Sequence, residues 1–447
     1  MVAVKFVKGN DGRATQKART QQTCMYMYLF ALVALVVFVL VESFGGADYT
    51  HAAKKSFFTR AIKAPLDLVP IAREPISVKN TSKIDPILNA SFHLVDIHIS
   101  KLVTKESSPN YYDGIEAEFC AVDWDIYKNH PWNYPKYRDV VSKSEKCKNT
   151  RIVVNLKLLV DEVRRYDRRG STKSITESLD PNFIFHESEC GSTLLANALA
   201  YSNPEEHRVY SEAGPVISAL RICGENFEHC TAATAATIFQ DVIYIMSRVP
   251  SQSGESRLFF KMQSSATTSI QLVQDSFPKA PWIFVYRDPE EVLVSHLNIR
   301  HVSRAKCLQS KSHPPHSVND FLYSFGLSVK ELTDELYCAI FIGCICDSAL
   351  TAVETSGTTG KLLNYDNLIE DFITDLALNH FGLNLGTKEV RRMEHTRTIY
   401  SKSREEEIAW VADSAKKQDL ATDAIRKAST DYLAFSYVQL EDVRKNN

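Results

Sequence analysis

Apolar and polar positions divide this chain into segments of different character. Residues 24–41, CMYMYLFALVALVVFVLV, run for 18 residues without a charge. At about 1.5 Å per residue that is long enough to cross hydrocarbon. From 42 to 110 apolar residues are scattered among Lys, Ser and Pro without sustained period, the pattern of a stem. Residues 111–178 hold the aromatic-rich EAEFCAVDWDIYKNHPWNYPKYRDVV and then the amphipathic RIVVNLKLLVDEVRRYD, which reads as the N-terminal part of a folded domain. From 179 to 447 a rhythm sets in. Short apolar runs at 183–186, 208–211, 257–261, 282–286 and 361–365 predict buried strands. Patterns at 193–201, 214–222, 232–248, 266–276, 289–300 and near 318–355 predict helices, and the charged tail 387–443 reads as helical. Strands alternating with helices predict an α/β fold with a parallel central sheet of about five strands flanked by helices. Ligands of such sheets bind at the carboxyl ends of the strands.

Charge sets the orientation of the apolar segment. Lys5, Lys8, Arg13, Lys17 and Arg19 precede it, against the single acid Asp11. The positive-inside bias makes residues 1–23 a cytosolic tail and 24–41 a signal-anchor helix of a single-pass type II protein, with the remainder luminal. A cleaved secretory signal ending near FGGAD is the alternative, but signal cores usually run to about 7–15 residues. Two glycosylation sequons, at Asn80 and Asn89, fall in the stem, as the topology requires. Nine of the 10 cysteines lie beyond the apolar segment, where an oxidising lumen permits disulfides. Proximity suggests Cys120 with Cys147 and Cys223 with Cys230; Cys344 and Cys346, on an apolar stretch, read as core. A net charge of −2 argues against a nucleic-acid partner.

The chemistry concentrates in FIFHESECGSTLLANAL, residues 183–199. A strand runs into a polar turn ending in Gly-Ser-Thr, and an apolar helix follows. That is the outline of an anion-binding loop at a helix N-terminus. It lacks the glycine and the Gly-Lys-Ser/Thr of a Walker loop, so nucleotide triphosphate hydrolysis is not expected. A second glycine-rich stretch, Thr355 to Lys361 (TSGTTGK), sits between helix and strand, where glycines commonly end helices. Further along, WIFVYRDPEEVLVSHL places Arg287 at a strand end and Ser295 two helical turns later. A permanent cation and a hydroxyl so spaced can grip one phosphate.

Together the two segments resemble the phosphate motifs of sulfotransferases that use 3′-phosphoadenosine-5′-phosphosulfate, in particular the Golgi membrane-anchored type. LLNYDNL, at Tyr365 to Leu368, is similar to the family's apolar-Tyr-Glu-Asp-Leu strand end. GSTLLANALAYSNPEEHRVYSEAG resembles the tyrosylprotein sulfotransferase stretch that runs to a catalytic glutamate, here Glu212. FFKMQ puts Lys261 in the place of the family's lysine, with Gln263 where cytosolic members carry histidine. IYSKSREE offers Lys402 as a late phosphate contact. The resemblance implies a P-loop-like fold, with Ser188, Cys190, Gly191, Ser192, Thr193 and Leu194 around the donor's 5′-phosphate. It implies Arg287 and Ser295 on the 3′-phosphate, Lys261 beside the bridging oxygen and Glu212 as general base, with no metal. It implies sulfuryl transfer to a hydroxyl of a carbohydrate or protein acceptor in the Golgi.

One residue departs from the pattern. Glu189 stands where the family places lysine or arginine. A like-charge pair at ~4 Å costs on the order of 4 kcal/mol at an effective dielectric near 20. Glu189 therefore either turns away while His186 or Lys261 supplies the charge, or the donor differs, or the domain keeps the fold without catalysis. Another class also stays open. Asp123-Trp124-Asp125 is an Asp-x-Asp, the metal and nucleotide-sugar motif of Golgi glycosyltransferases, although its place before the α/β rhythm suits turn or capping acids better.

Overall fold

The computed structural model describes residues 77, 81–105, 108–225, 230–297, 305–404 and 407–446. The expected cytosolic tail, the signal-anchor segment 24–41 and Asn80 lie outside the described residues. Regular structure begins inside the segment read as a stem. A helix at Thr81–Leu88 leads into β1 (His93–Lys105) and β2 (Ser108–Cys120), an antiparallel hairpin to which β3 (Ile152–Asn155) adds. The boundary at 110 thus cuts a strand. The hairpin escaped the pattern because β1, HLVDIHISKLVTK, buries Leu94 and Ile97 across a bulge that breaks the two-residue period, and leaves the Asp96 and His98 side chains about half exposed. Its long strands pack on the helices Gly214–Arg221 and Ala232–Met246.

The remaining strands are β4 (Thr172–Ser174), β5 (Asn182–His186), β6 (His207–Ser211), β7 (Arg248–Pro250), β8 (Arg257–Lys261), β9 (Trp282–Tyr286) and β10 (Gly360–Asn364). β4 and β7 make a short antiparallel ribbon. The other five form one parallel sheet in the order β10-β9-β5-β8-β6. All five residues of β5, β6 and β9 are buried, as expected of parallel strands covered on both faces. Rings join the strands: Phe183 stacks on Phe260 at 5.8 Å and Tyr210 on Phe260 at 5.2 Å between centroids. Chain order places β6 and β8 on one side of β5 and β9 and β10 on the other. The direction of winding reverses around β5, and ligand clefts form at such a reversal.

The helices follow the predicted rhythm with two differences. The pattern near 318–355 is two helices, His316–Ser324 and Asp334–Thr355, separated where Gly326 adopts φ +63° and restarted by a Thr333 cap on the Leu336 amide. The second is apolar and long enough to cross a membrane, yet 78% of its apolar window is buried within the protein. It packs against the helices Asp423–Tyr432 and Ala434–Asn446 as a core element. The tail is helical at Thr387–Thr396 and from Ser414 onward, but between them the described residues are not helical. The TSGTTGK stretch is the turn after the core helix, and Gly360 lies where a Cβ would meet the Trp282 ring at 2.3 Å.

Arg248 ties the early helix to the core. Its guanidinium donates to the Ile87 carbonyl at 2.6 Å, the Leu88 carbonyl at 2.7 Å and both Asp167 oxygens at 2.7–2.8 Å, all buried. Removing one partner of a buried pair strands the other's charge. Arg248→Ala is expected to destabilise the fold by roughly 3–5 kcal/mol, read as a lower urea midpoint.

Candidate active site

Four strands of the parallel sheet deliver a functional side chain at or just past their carboxyl ends. The loop 187–191 follows β5, Glu212 follows β6, Lys261 ends β8 and Arg287 follows β9. All four line one cleft of about 330 Å³, together with Ser188 to Leu194, Ser295, Tyr365 and Lys402. Every residue expected from sequence to hold the donor or to act on it therefore meets in one place. Asn89 lies elsewhere, on an exposed turn whose Ala90 has φ +58° and in which Ser91 N donates to Asn89 Oδ1 at 3.0 Å.

The loop is shaped by its backbone. Ser188, Glu189 and Gly191 have φ of +95°, +50° and +85°. A Cβ on Gly191 would sit 2.5 Å from the Tyr365 ring, so this glycine serves both the turn and the close approach. The helix Ser192–Ser202 starts at Gly191 with no side-chain cap. Its N-terminus presents the positive end of the helix dipole to the cleft.

Glu187 anchors the loop from behind. It is 3% exposed, and its Oε1 accepts the Arg287 amide at 2.5 Å while Cys346 Sγ donates to Oε2 at 3.4 Å. Burial raises its carboxyl to about 8, so it stays protonated at neutral pH. His186 cannot supply the missing loop charge. Its Nδ1 accepts the Ser188 amide at 3.1 Å and its Nε2–H donates to the Met262 carbonyl at 3.0 Å, which fixes a neutral tautomer. Burial, reinforced by Lys261, holds its pKa well below the usual value.

Glu189 does not turn away. It lines the cleft and binds Lys402 Nζ at 3.0 and 3.1 Å. Burial alone would raise its carboxyl, but Lys402 more than offsets that and holds it below the ordinary carboxylate value. The cation expected on the loop arrives instead from the C-terminal segment.

Glu212 sits between two ammonium groups, Lys261 Nζ at 2.5 Å and Lys136 Nζ at 2.6 Å. They overcome its burial and hold the carboxyl well below its usual range. Lys261 is 2% exposed, and burial lowers its pKa against the pull of Glu212. A third lysine, Lys306, also lines the cleft, and burial brings its pKa down to about 8. Lys136 precedes the helix Tyr137–Lys143, and Lys306 opens a helix pinned to the core by the Cys307–Cys338 disulfide. Neither lysine belongs to a motif, so sequence reasoning had no signal for them.

Arg287 is not free as its motif implies. Its Nε donates to Glu291 at 2.5 Å, its Nη2 to Asp413 at 2.8 Å, and its guanidinium lies 3.9 Å from the Tyr365 ring centroid. The Glu291 partner is one helical turn away in sequence, and the pair is buried. Ser295 Oγ donates to the Glu291 carbonyl at 2.7 Å and faces the same cleft.

The Asp-x-Asp pair stands outside this cleft. Asp123 caps the helix Trp124–Asn129 by accepting the Asp125 amide at 3.2 Å, and both acids are exposed. Trp124 is buried against the Arg208 guanidinium, 5.1 Å from the ring centroid. The disulfides include the two expected pairs, Cys120–Cys147 and Cys223–Cys230, while Cys190, Cys344 and Cys346 are free and buried.

No protein-family model and no curated protein matches the chain. It is similar to three solved structures, each with a TM-score of 0.32. One is the sulfotransferase STF9 from Mycobacterium avium, at 12% identity over 58% of this chain and 78% of that one. The second is the sulfotransferase domain from the curacin biosynthetic pathway, at 13% identity over 57% and 97%. The third is the sulfotransferase domain from the Synechococcus PCC 7002 olefin synthase, at 13% identity over 59% and 94%. The likeness is one of chain trace at low identity, and the roles of the cleft's residues follow from their own geometry.

Glu187 supplies a pH signature. Its folded pKa lies above its unfolded value of 4.5, so the fold holds more protons than the unfolded chain between those two values. Its contribution is present below pH 4.5 and is lost as pH rises toward 8, by about 1.4 kcal/mol per unit at most. Glu187→Gln keeps the acceptor for the Arg287 amide and removes the titration. The variant's melting temperature is expected to fall less than the wild type's between pH 5 and 8; equal slopes would assign the pH dependence to other groups.

Proposed function

We propose that the cleft binds 3′-phosphoadenosine-5′-phosphosulfate as donor substrate and that the chain moves its sulfuryl group to a hydroxyl of a carbohydrate or protein acceptor. The reading rests on one observation above all. A glycine-turned loop at a helix N-terminus and an arginine at the end of the adjacent strand face one cleft, with a buried lysine and a carboxylate on the loop's other side. Backbone amides at a helix N-terminus favour the 5′-phosphate. A guanidinium with a hydroxyl two turns away suits the 3′-phosphate. The cleft is at the small end of ligand sites, which run to about 300–1,000 Å³.

The chemistry assigns a task to each charged group. An acceptor oxygen attacks sulfur, the bond from sulfur to the bridging oxygen breaks, and the acceptor's proton must leave. Lys261 can stabilise charge developing on the leaving phosphate oxygen. Glu212 is a poor base while two ammonium groups hold it. If Lys261 turns toward the donor, Glu212 keeps only Lys136 and its basicity rises, so donor binding and base activation are coupled through one lysine. The secretory setting is supported by the disulfides, the exposed sequon at Asn89 and the apolar segment 24–41. We assign the protein on that basis to the Golgi membrane, as a single-pass type II protein with a luminal domain. A second reading, a ligand-binding protein without catalysis, draws on the two carboxylates, Glu189 and Asp413, that occupy the expected phosphate positions.

Calorimetry with 3′-phosphoadenosine-5′-phosphate on the folded chain tests the donor assignment. Binding is expected, and Arg287→Lys, which keeps the charge but loses the fork, is expected to weaken it by about tenfold or more. No binding, alongside manganese-dependent binding of a nucleotide sugar, would overturn the assignment. Glu189→Gln is expected to tighten binding by about tenfold, since it removes a repulsion and frees Lys402; weaker binding would show that the loop has been assigned the wrong role. Binding in both proteins should also fall as pH rises through about 8, where Lys306 loses its charge.

A further inference from the structure

The ion cluster around Arg287 is complete without a ligand. Asp413 Oδ1 accepts from Arg287 Nη2 at 2.8 Å, and its Oδ2 lies 2.9 Å from Lys417 Nζ. With Glu291 on Arg287, the cluster holds two cations and two carboxylates. An incoming phosphate would leave it with excess negative charge in a partly buried site, unless one carboxylate departs. The two carboxylates are not equivalent. The Glu291 side chain is 6% exposed and lies on the helix Pro289–Leu297, whereas the Asp413 side chain is 41% exposed. Asp413 immediately precedes the helix Ser414–Leu420, none of whose residues is buried. Little apolar area resists its departure.

We infer that Asp413 is a resident stand-in for the ligand's 3′-phosphate: its carboxylate satisfies Arg287 in the free protein and gives way to that phosphate on binding. The inference rests on the donor reading above and adds a specificity-determining residue to it. The chain's own carboxylate competes for the guanidinium, so a ligand gains from the arginine only if its anion outcompetes Asp413. A nucleotide without a 3′-phosphate leaves Asp413 where it is. The exchange limits the excess negative charge, since a carboxylate leaves as the phosphate enters, and Lys417 is freed to follow either.

Asp413→Asn tests this, since it preserves shape and an acceptor for Arg287 while removing the competing charge. Calorimetry would compare 3′-phosphoadenosine-5′-phosphate with adenosine 5′-phosphate on wild type and variant. The variant is expected to bind the first about tenfold more tightly and the second unchanged. Hydrogen exchange on the wild-type protein provides a second measurement independent of the variant's folding: amides of 413–420 should exchange faster when 3′-phosphoadenosine-5′-phosphate is bound. Equal tightening of both nucleotides, or no tightening, or slower exchange at 413–420, would overturn the role of Asp413 and leave the donor reading standing wherever wild type binds and Arg287→Lys weakens binding. If neither protein binds the bisphosphate, the donor reading and the stand-in fall together.

Discussion

Glu187 holds the two loops that frame the cleft of this protein in register. It follows β5, and its side chain accepts the amide of Arg287, the residue that follows β9. Its own amide donates to the Val285 carbonyl at 3.3 Å, and Cys190 Sγ reaches the same carbonyl at 3.0 Å. The segment that turns at Gly191 and the segment that presents Arg287 are therefore joined beneath the cleft. A charged carboxylate could not sit there at low cost, because burial in an apolar setting penalises ionisation. The protonated form can, and it fixes the spacing between the loop and the guanidinium. Both proposed phosphate subsites inherit their separation from this contact.

Above that joint the cleft holds three cation–carboxylate groups. Lys402 faces Glu189, Lys261 and Lys136 face Glu212, and Arg287 with Lys417 faces Glu291 and Asp413. Each carboxylate is paired locally, while Lys306, Arg397 and Arg404 also line the cleft, so the free protein keeps an excess of positive charge there. At those three groups binding an anion becomes an exchange of partners and not a simple addition. Such a site gains less affinity per cation than an open one, but it discriminates strongly among ligands, because each anion must match the group it replaces.

The sheet was legible in the sequence for a physical reason. Parallel strands covered on both faces must be continuously apolar, and FIFH, RLFFK and WIFVY announce themselves as such. That residues at their ends meet in one cleft was legible because a parallel sheet opens its clefts there. Three parts were not. The β1–β2 hairpin is bulged, so its apolar residues break the two-residue period. Lys136 and Lys306 reach the cleft from segments remote in sequence from the loop and carry no motif. Asp413 lies in a tail whose charged composition reads as helix throughout, and only the fold shows that it ends at Arg287. Glu189 was legible as an oddity, but its partner 213 residues away was flagged only as a phosphate contact.

That partnership bears on how damaging Glu189 is. The pair with Lys402 is more than a third exposed on both sides, and exposed ion pairs are worth only about 0–1 kcal/mol. A phosphate can thus recruit Lys402 at little cost. Glu189 itself is the harder problem: with its carboxyl held below the ordinary value, it does not become neutral near physiological pH. Once Lys402 turns to the ligand, Glu189 loses its counter-ion, and its repulsion of the anion is no longer offset.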